Sequence, residues 1–156
     1  MKSIPLTQGG FALVDDEDYE YLNQWKWSCT KDGYAIRGTS VKGKKTCLYM
    51  HRVIMNAPKG LQVDHIDSNR INNQKKNLRL CTGNQNRMHR GLRRDNKSGY
   101  IGVKKYKRKR QWAAILTLMG KPVYIEYFDS PEEAARARDK EAKKYRGEFA
   151  KLNFPD

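Results

Sequence analysis

The sequence predicts an α+β chain made of two small domains, and three observations carry that prediction. Within residues 61–90, two short apolar runs are followed at once by a segment that can be capped as a helix. Within residues 99–156, three runs of alternating apolar and polar residues precede one long helical pattern, which predicts a three-stranded antiparallel sheet packed on a helix. Between them, RGLRRDNKSG is polar and basic and reads as a linker centred on 91–98. The chain of 156 residues suits such a division. Each core is then modest, because a domain of roughly 60 residues buries only about 60% of its unfolded surface.

Residues 1–60 form a β-rich extension of the first domain. The alternating FALV run predicts a strand, and DDEDYEYL, with acids first and Tyr19, Leu22 and Trp25 at helical spacing, predicts a short helix. Trp25, Trp27, Tyr34 and Ile36 alternate around the turn Lys31-Asp32-Gly33, which predicts a hairpin. A second turn at 42–45 leads into TCLYMHRVIMN. Here His51 and Arg52 interrupt an apolar run from Leu48 to Met55. His51 is either a satisfied core histidine or, with Arg52, part of a phosphate-contacting or site-supporting pair near His65. An arginine in such a run wants an anionic partner.

After the turn APKG, LQVDHID and NLRLC read as two strands, the second with Leu78 and Leu80 on one face. Thr82 and Gln85 have capping-box spacing for the helix that follows. In the second domain the strands are YIGVKKYK, QWAAILTLM and PVYIEYFD. Ser130 caps a helix with Pro131, Glu132 and Glu133 in its first turn and Gly147 at its end. Ala134, Ala135, Ala137 and Ala142 permit close approach of that helix to the sheet.

Composition narrows the function. The net charge of +15 predicts a polyanion partner, and it is unevenly placed. Residues 1–20 sum to −4, residues 21–92 to +11 and residues 93–156 to +8. No apolar run approaches the length of a membrane span, and MKSIPLTQGG lacks a signal pattern, which predicts a cytoplasmic protein. Cys29, Cys47 and Cys81 are odd in number and contain no Cys-x-x-Cys pair, so neither a disulfide framework nor structural zinc is expected. On the first two strands of the second domain and their turn, Lys104, Lys105, Tyr106, Lys107, Arg108, Lys109, Arg110 and Trp112 interleave cations with aromatics. That pattern suits the major groove of double-stranded DNA.

The stretch from Val63 to His89, VDHIDSNRINNQKKNLRLCTGNQNRMH, carries the candidate chemistry. Hydrolysis of a phosphodiester needs an activated water and stabilisation of developing negative charge. Histidine suits the first task, because its pKa lies near working pH, and a divalent cation suits the second. Asp64 and Asn86 offer hard oxygens appropriate to magnesium or manganese, completed by water and phosphate oxygens. His65 is then the general base. Asn86 and His89 stand at i and i+3 on one helix face, so His89 is a secondary ligand or a phosphate contact. Asn77 can clamp the intervening loop through backbone hydrogen bonds and thereby orient His65.

VDHIDSNRINNQKKNLRLCTGNQN resembles the H-N-H homing endonuclease family of phage and bacterial type, in the subgroup whose last position is Asn. The resemblance implies a two-strand-plus-helix metal finger holding a single divalent ion, with His65 as base, Asp64 and Asn86 as ligands and Asn77 as the structural Asn. The segments MHR at 50–52 and IPLTQGGFALVDDED are similar to members of the same group. YIGV, QWAAIL, YFDSPEEAARARD and AKLNFP, over 98–156, resemble the plant apetala/ethylene-response-factor DNA-binding domain. That resemblance implies a three-stranded sheet in the major groove, although several strand arginines of the family are Lys or Tyr here.

Together these readings predict a divalent-metal-dependent DNA endonuclease of domains 1–90 and 99–156. It would nick one strand per site as a monomer with no small-molecule cofactor, and would be encoded by a phage or mobile element. The competing expectation is a non-enzymatic DNA-binding regulator that keeps the finger as scaffold. The residues expected on DNA are His51, Arg52, Arg87, Arg93, Arg94, Lys104, Lys105, Tyr106, Arg108, Arg110 and Trp112.

Overall fold

The computed structural model describes residues 1–89, 91–92, 94–106 and 111–155. The expectations for Arg93, Arg108 and Arg110 fall outside the described residues. The chain mixes helices with small sheets and divides into two compact units, Met1–Gly83 and Asn84–Asp156.

The first unit opens with a hairpin of β1 (Lys2–Pro5) and β2 (Phe11–Val14). Gly9 and Gly10 close it with φ of 92° and 80°, angles that side chains with a Cβ rarely adopt. Strand β1 was not expected, because KSIP is short, ends in proline and shows no clear alternation. Helix α1 (Asp16–Leu22) places Asp16, Glu17 and Asp18 in its first turn, where carboxylates complement the helix dipole. A three-stranded sheet follows in the order β3 (Ser28–Cys29), β4 (Ala35–Val41), β5 (Lys44–Tyr49).

The run that holds His51 is helix α2 (Met50–Ile54), a single turn too short to announce a period in sequence. Strands β6 (Gln62–His65) and β7 (Leu78–Cys81) pair antiparallel, with Asp64 opposite Arg79 and His65 opposite Leu78. The expected apolar face of β7 is only half realised, since Leu78 is buried and Leu80 exposed. Cys81 is buried at the end of the strand.

Ile4, Leu6, Val14, Leu22, Trp27 and Met50 are among the residues forming the core, and Trp27 Nε1 donates to the Leu22 carbonyl at 2.8 Å. The hairpin also serves as a template. Leu13 N donates to the Ile71 carbonyl and Asn73 N to the Leu13 carbonyl, each at 2.8 Å, so the loop between β6 and β7 docks on the edge of β2.

Helix α3 (Gly83–Met88) begins directly after Thr82. In the second unit, β8 (Val103–Tyr106), β9 (Gln111–Leu118) and β10 (Lys121–Phe128) form an antiparallel sheet with β9 central. Helix α4 (Pro131–Arg146) starts in a capping box: Glu133 N donates to Ser130 Oγ at 3.2 Å, and Ser130 N to Glu133 Oε2 at 3.3 Å. Ala134 and Ala135 are fully buried against Val103 and Ala114, with Tyr100, Trp112, Tyr124, Phe128 and Phe154 around them. A Cβ on Gly102 would stand 2.7 Å from the Ile115 carbonyl oxygen, so only glycine permits that approach. Asp139 accepts from the backbone N of Asn153 and of Phe154, which ties the C-terminal segment to α4. No helix among the described residues is long and apolar enough to cross a membrane.

Candidate active site

Asp64 and His65 end strand β6 and are 7% and 4% exposed. The loop that follows is organised by Asp67. Its Oδ1 accepts from Asn69 N at 2.7 Å and Asn77 Nδ2 at 2.9 Å, and its Oδ2 from Asn72 Nδ2 at 2.8 Å. Although burial raises the Asp67 pKa, these hydrogen bonds hold it below the ordinary carboxylate value. Asn77 lies in a 3₁₀ turn (Lys75–Asn77) just before β7. Its Oδ1 accepts from Asp67 N at 2.9 Å, its Nδ2 also donates to the Asn72 carbonyl at 2.8 Å, and its own carbonyl accepts from Ile66 N. Asp15 fastens the far side of the loop by accepting from Gln74 Nε2 at 3.0 Å and Lys75 N at 2.8 Å.

The orientation of His65 follows from Asn73, which is fully buried. Asn73 Nδ2 donates to the Ile71 carbonyl at 3.1 Å, so its Oδ1 is the atom that faces His65 Nε2 at 3.4 Å. A carbonyl oxygen only accepts, so Nε2 carries the hydrogen and Nδ1 keeps the lone pair. Burial lowers the His65 pKa below its ordinary value, against the opposing pull of Asn73, Asp67 and Asp64. The ring is therefore neutral near pH 7. It packs in an aromatic cluster, with its centroid 5.2 Å from His51 and 5.9 Å from Tyr34. Tyr49 stands 5.4 Å from His51, and the Arg70 guanidinium covers Tyr34 at 4.7 Å.

His51 is 7% exposed, and its buried Nδ1 has no hydrogen-bond partner among the described residues. Burial, with the nearby His65 and Arg52 charges, lowers its pKa to about 4. Arg52 braces the adjoining turn. Its guanidinium donates to the carbonyls of Leu61 at 2.8 Å, Ala57 at 3.0 Å and Pro58 at 3.2 Å.

Asp64 is held by Arg79 across the β6–β7 pair, with Nε at 2.9 Å and Nη2 at 2.7 Å from Oδ2. Among the described residues no three His, Cys, Asp or Glu side chains cluster as a metal cage. A single buried carboxylate still fits magnesium or manganese, ions that keep several waters and take few protein ligands. Asn86 and His89 belong to the second unit; both are half-buried, and His89 N donates to the Asn86 carbonyl at 3.2 Å.

The residues expected on DNA divide by environment. Arg87 and Arg94 are exposed, and Arg87 donates to Asn84 Oδ1. Lys104 and Tyr106 are exposed on one face of β8. Trp112 departs from expectation, because alternation along β9 puts it with Ala114 on the helix side, where it packs on the core. Lys105 goes with it, its Nζ lying 5.4 Å from the Trp112 ring. Asp15, Asp67 and Asn73 carry no site signal in the sequence, and Tyr34 is marked there only as a hairpin position. Only Arg79 had a usable signal, the register that sets it opposite Asp64.

Residues 48–88 match the family described as HNH endonuclease. A shorter likeness, 43% identical over 61 residues, joins 39% of the chain to 13% of the AP2-like ethylene-responsive transcription factor TOE2 of Arabidopsis thaliana. The chain is also similar to the structure titled "DNA binding and cleavage by the HNH homing endonuclease I-HmuI", with a TM-score of 0.37 and 24% identity over 92% of this chain and 79% of that one. The sequence is 30% identical over 155 residues to the HNH endonuclease L560 of Acanthamoeba polyphaga mimivirus, spanning 96% of this chain and 78% of the relative. With a likeness of that extent and the match around the Asp64-His65 strand, the chain belongs to the HNH endonuclease family.

Proposed function

We propose that this protein is a divalent-metal-dependent endonuclease of double-stranded DNA, in which His65 is the general base. The observation that carries the reading is the buried His65 whose Nε2 faces Asn73 Oδ1, which leaves Nδ1 to accept a proton. Water gives that proton to Nδ1 as its oxygen bonds to phosphorus. The bond from phosphorus to one sugar oxygen then breaks, and that oxygen leaves as an alcohol after taking a proton from solvent. Asn77 and Asp67 act as positioning residues that keep the loop beneath His65 in one conformation.

Asp64 is assigned as a metal ligand, and Asn86 with His89 as further ligands, on their spacing in the sequence and the family resemblance. A magnesium or manganese ion there supplies Lewis-acid stabilisation of the charge that develops on the phosphorane and the leaving oxygen. Arg79 fixes the Asp64 carboxylate across the strand pair. One such site cuts one strand per visit, so the expected product of a monomer is a nick.

The net charge of +15 supports DNA as the partner, and the sheet of the second unit is the face assigned to it, through Lys104 and Tyr106 with Arg87 and Arg94. Relaxation of supercoiled plasmid in magnesium is the test. His65→Ala is expected to slow nicking by about 10²- to 10⁴-fold, the usual contribution of a positioned base, while DNA binding persists. Nicking by His65→Ala at the wild-type rate would overturn the mechanism.

A further inference from the structure

Strand β10 lies at an edge of the second unit's sheet, and its two faces differ. Tyr124 and Phe128 turn to the helix side and pack on the core. Ile125 and Tyr127 face the other way and are 51% and 43% exposed. Val123, at the β-bulge between Pro122 and Tyr124, is 38% exposed. The register extends this open face across the sheet: Ile125 stands opposite Ile115, Tyr127 opposite Ala113, and Ala113 opposite Lys104. The Tyr106 ring lies 5.3 Å from that of Tyr127.

The face is therefore an apolar strip flanked by a lysine. Glu126, between Ile125 and Tyr127, alternates to the other side and accepts a hydrogen bond from the Tyr124 hydroxyl. The unit as a whole has nineteen Lys and Arg against nine Asp and Glu. Those charges select a polyanion, and the strip selects one that presents apolar groups between its phosphates. Duplex DNA does so in the major groove, where the thymine 5-methyl is the apolar group on the base edges. Guanine O6 and N7 call instead for paired donors, which Val123, Ile125 and Tyr127 do not offer in forked form.

We propose that Val123, Ile125 and Tyr127 read thymine methyl groups and give this endonuclease a preference for thymine-containing major grooves. The proposal rests on the reading of this sheet as the DNA-binding face. It differs from a guanine code read by strand arginines, since the described strands of this unit contain none.

The test selects bound duplexes from a random library with the full-length chain under chelation, then replaces each thymine of the selected sequence by deoxyuridine, which removes only the methyl. Thymine-rich selection is expected, with affinity falling about fourfold for each contacted thymine replaced, the equivalent of one buried methylene. In Ile125→Thr, which keeps a β-branched residue at an exposed position, the loss at one deoxyuridine should shrink toward none. Far-UV circular dichroism and the thermal midpoint check that this variant folds. Selection of guanine-rich sites, indifference to deoxyuridine, or a deoxyuridine loss undiminished in Ile125→Thr each overturn the proposal. Lys104→Ala separates the two levels. If it weakens binding to every sequence while deoxyuridine has no effect, the sheet still binds DNA and the thymine preference is wrong. If neither Lys104→Ala nor Ile125→Thr alters binding, the sheet is not the DNA-binding face and the proposal falls with it.

Discussion

The two units differ in where they put polar groups. In the first, His51, Asp64, His65, Asn73, Gln74 and Asn77 are buried, all of them on or around one loop and two short strands. In the second, the buried charged residues among those described are Arg138 and Asp139, which pair with each other and with the C-terminal segment. Both units expose apolar side chains, but in the second Val123, Ile125 and Tyr127 of β10 do so along one strand beside a lysine. Apart from His51, whose Nδ1 has no partner among the described residues, those residues around the first unit's loop are hydrogen-bonded, and such networks are rigid because each member loses its partner if any one moves. Such an arrangement suits a reacting group that must hold one position. An exposed apolar strip among cations needs no such fixity, and adapts to a groove through side chains already at the surface.

Mutations that remove polar partners should therefore hurt the first unit far more than the second. Asn77→Ala deletes the amide that bridges Asp67 and Asn72, and is expected to cost about 3 kcal/mol of stability through the buried groups it leaves unpaired. Chemical denaturation of the purified variant measures this, and an unchanged midpoint would show that the loop holds itself without the clamp. Asn73→Leu keeps the branched heavy-atom skeleton but removes the acceptor at His65 Nε2. Nicking should fall by about ten- to a hundredfold, as when other orienting partners are lost, with DNA binding retained.

The pH dependence of stability sharpens the contrast. The His51 pKa is lowered from 6.5 to about 4 in the folded protein, so the unfolded chain takes up the proton first as pH falls. The stabilising contribution is fully present above about pH 6.5 and is lost progressively as the pH drops toward 4. The thermal midpoint should decline across that window, and His51→Phe should flatten the decline. The smallest effect belongs to the second unit. Ser130→Ala removes the cap of α4 and should cost about 1 kcal/mol, a few degrees in the midpoint, with no change in nicking rate.

Sequence reasoning did well where contacts are local. Ser130 and Glu133 are three residues apart, and their reciprocal bonds follow from that spacing. The β10 hairpin and the turn at Lys31 to Gly33 are legible for the same reason. The Asp64-His65-Asn77-Asn86 spacing could be noticed because it is a linear pattern. What could not be read was the support beneath it. Asp15 reaches Gln74 across 59 positions, and Asn73 is one of several asparagines in a polar loop with nothing to mark it as the neighbour of His65. The face taken by Trp112, which packs on the helix side, is not legible because an aromatic beside a basic turn reads equally well in either register. Helix α2 was too short for its period to show.

The bond between Leu13 and Asn73 has a further consequence, for transplantation. A minimal cutter excised as residues 61–90 would keep Asp64, His65 and Asn77 in order along the chain. It would lack the β2 edge on which the loop lies and the Asp15 carboxylate that fastens Gln74 and Lys75. A graft into another scaffold must therefore bring the N-terminal hairpin with it, or rebuild an equivalent strand edge beneath the loop. In this protein the candidate site depends on the N-terminal hairpin as well as on the motif.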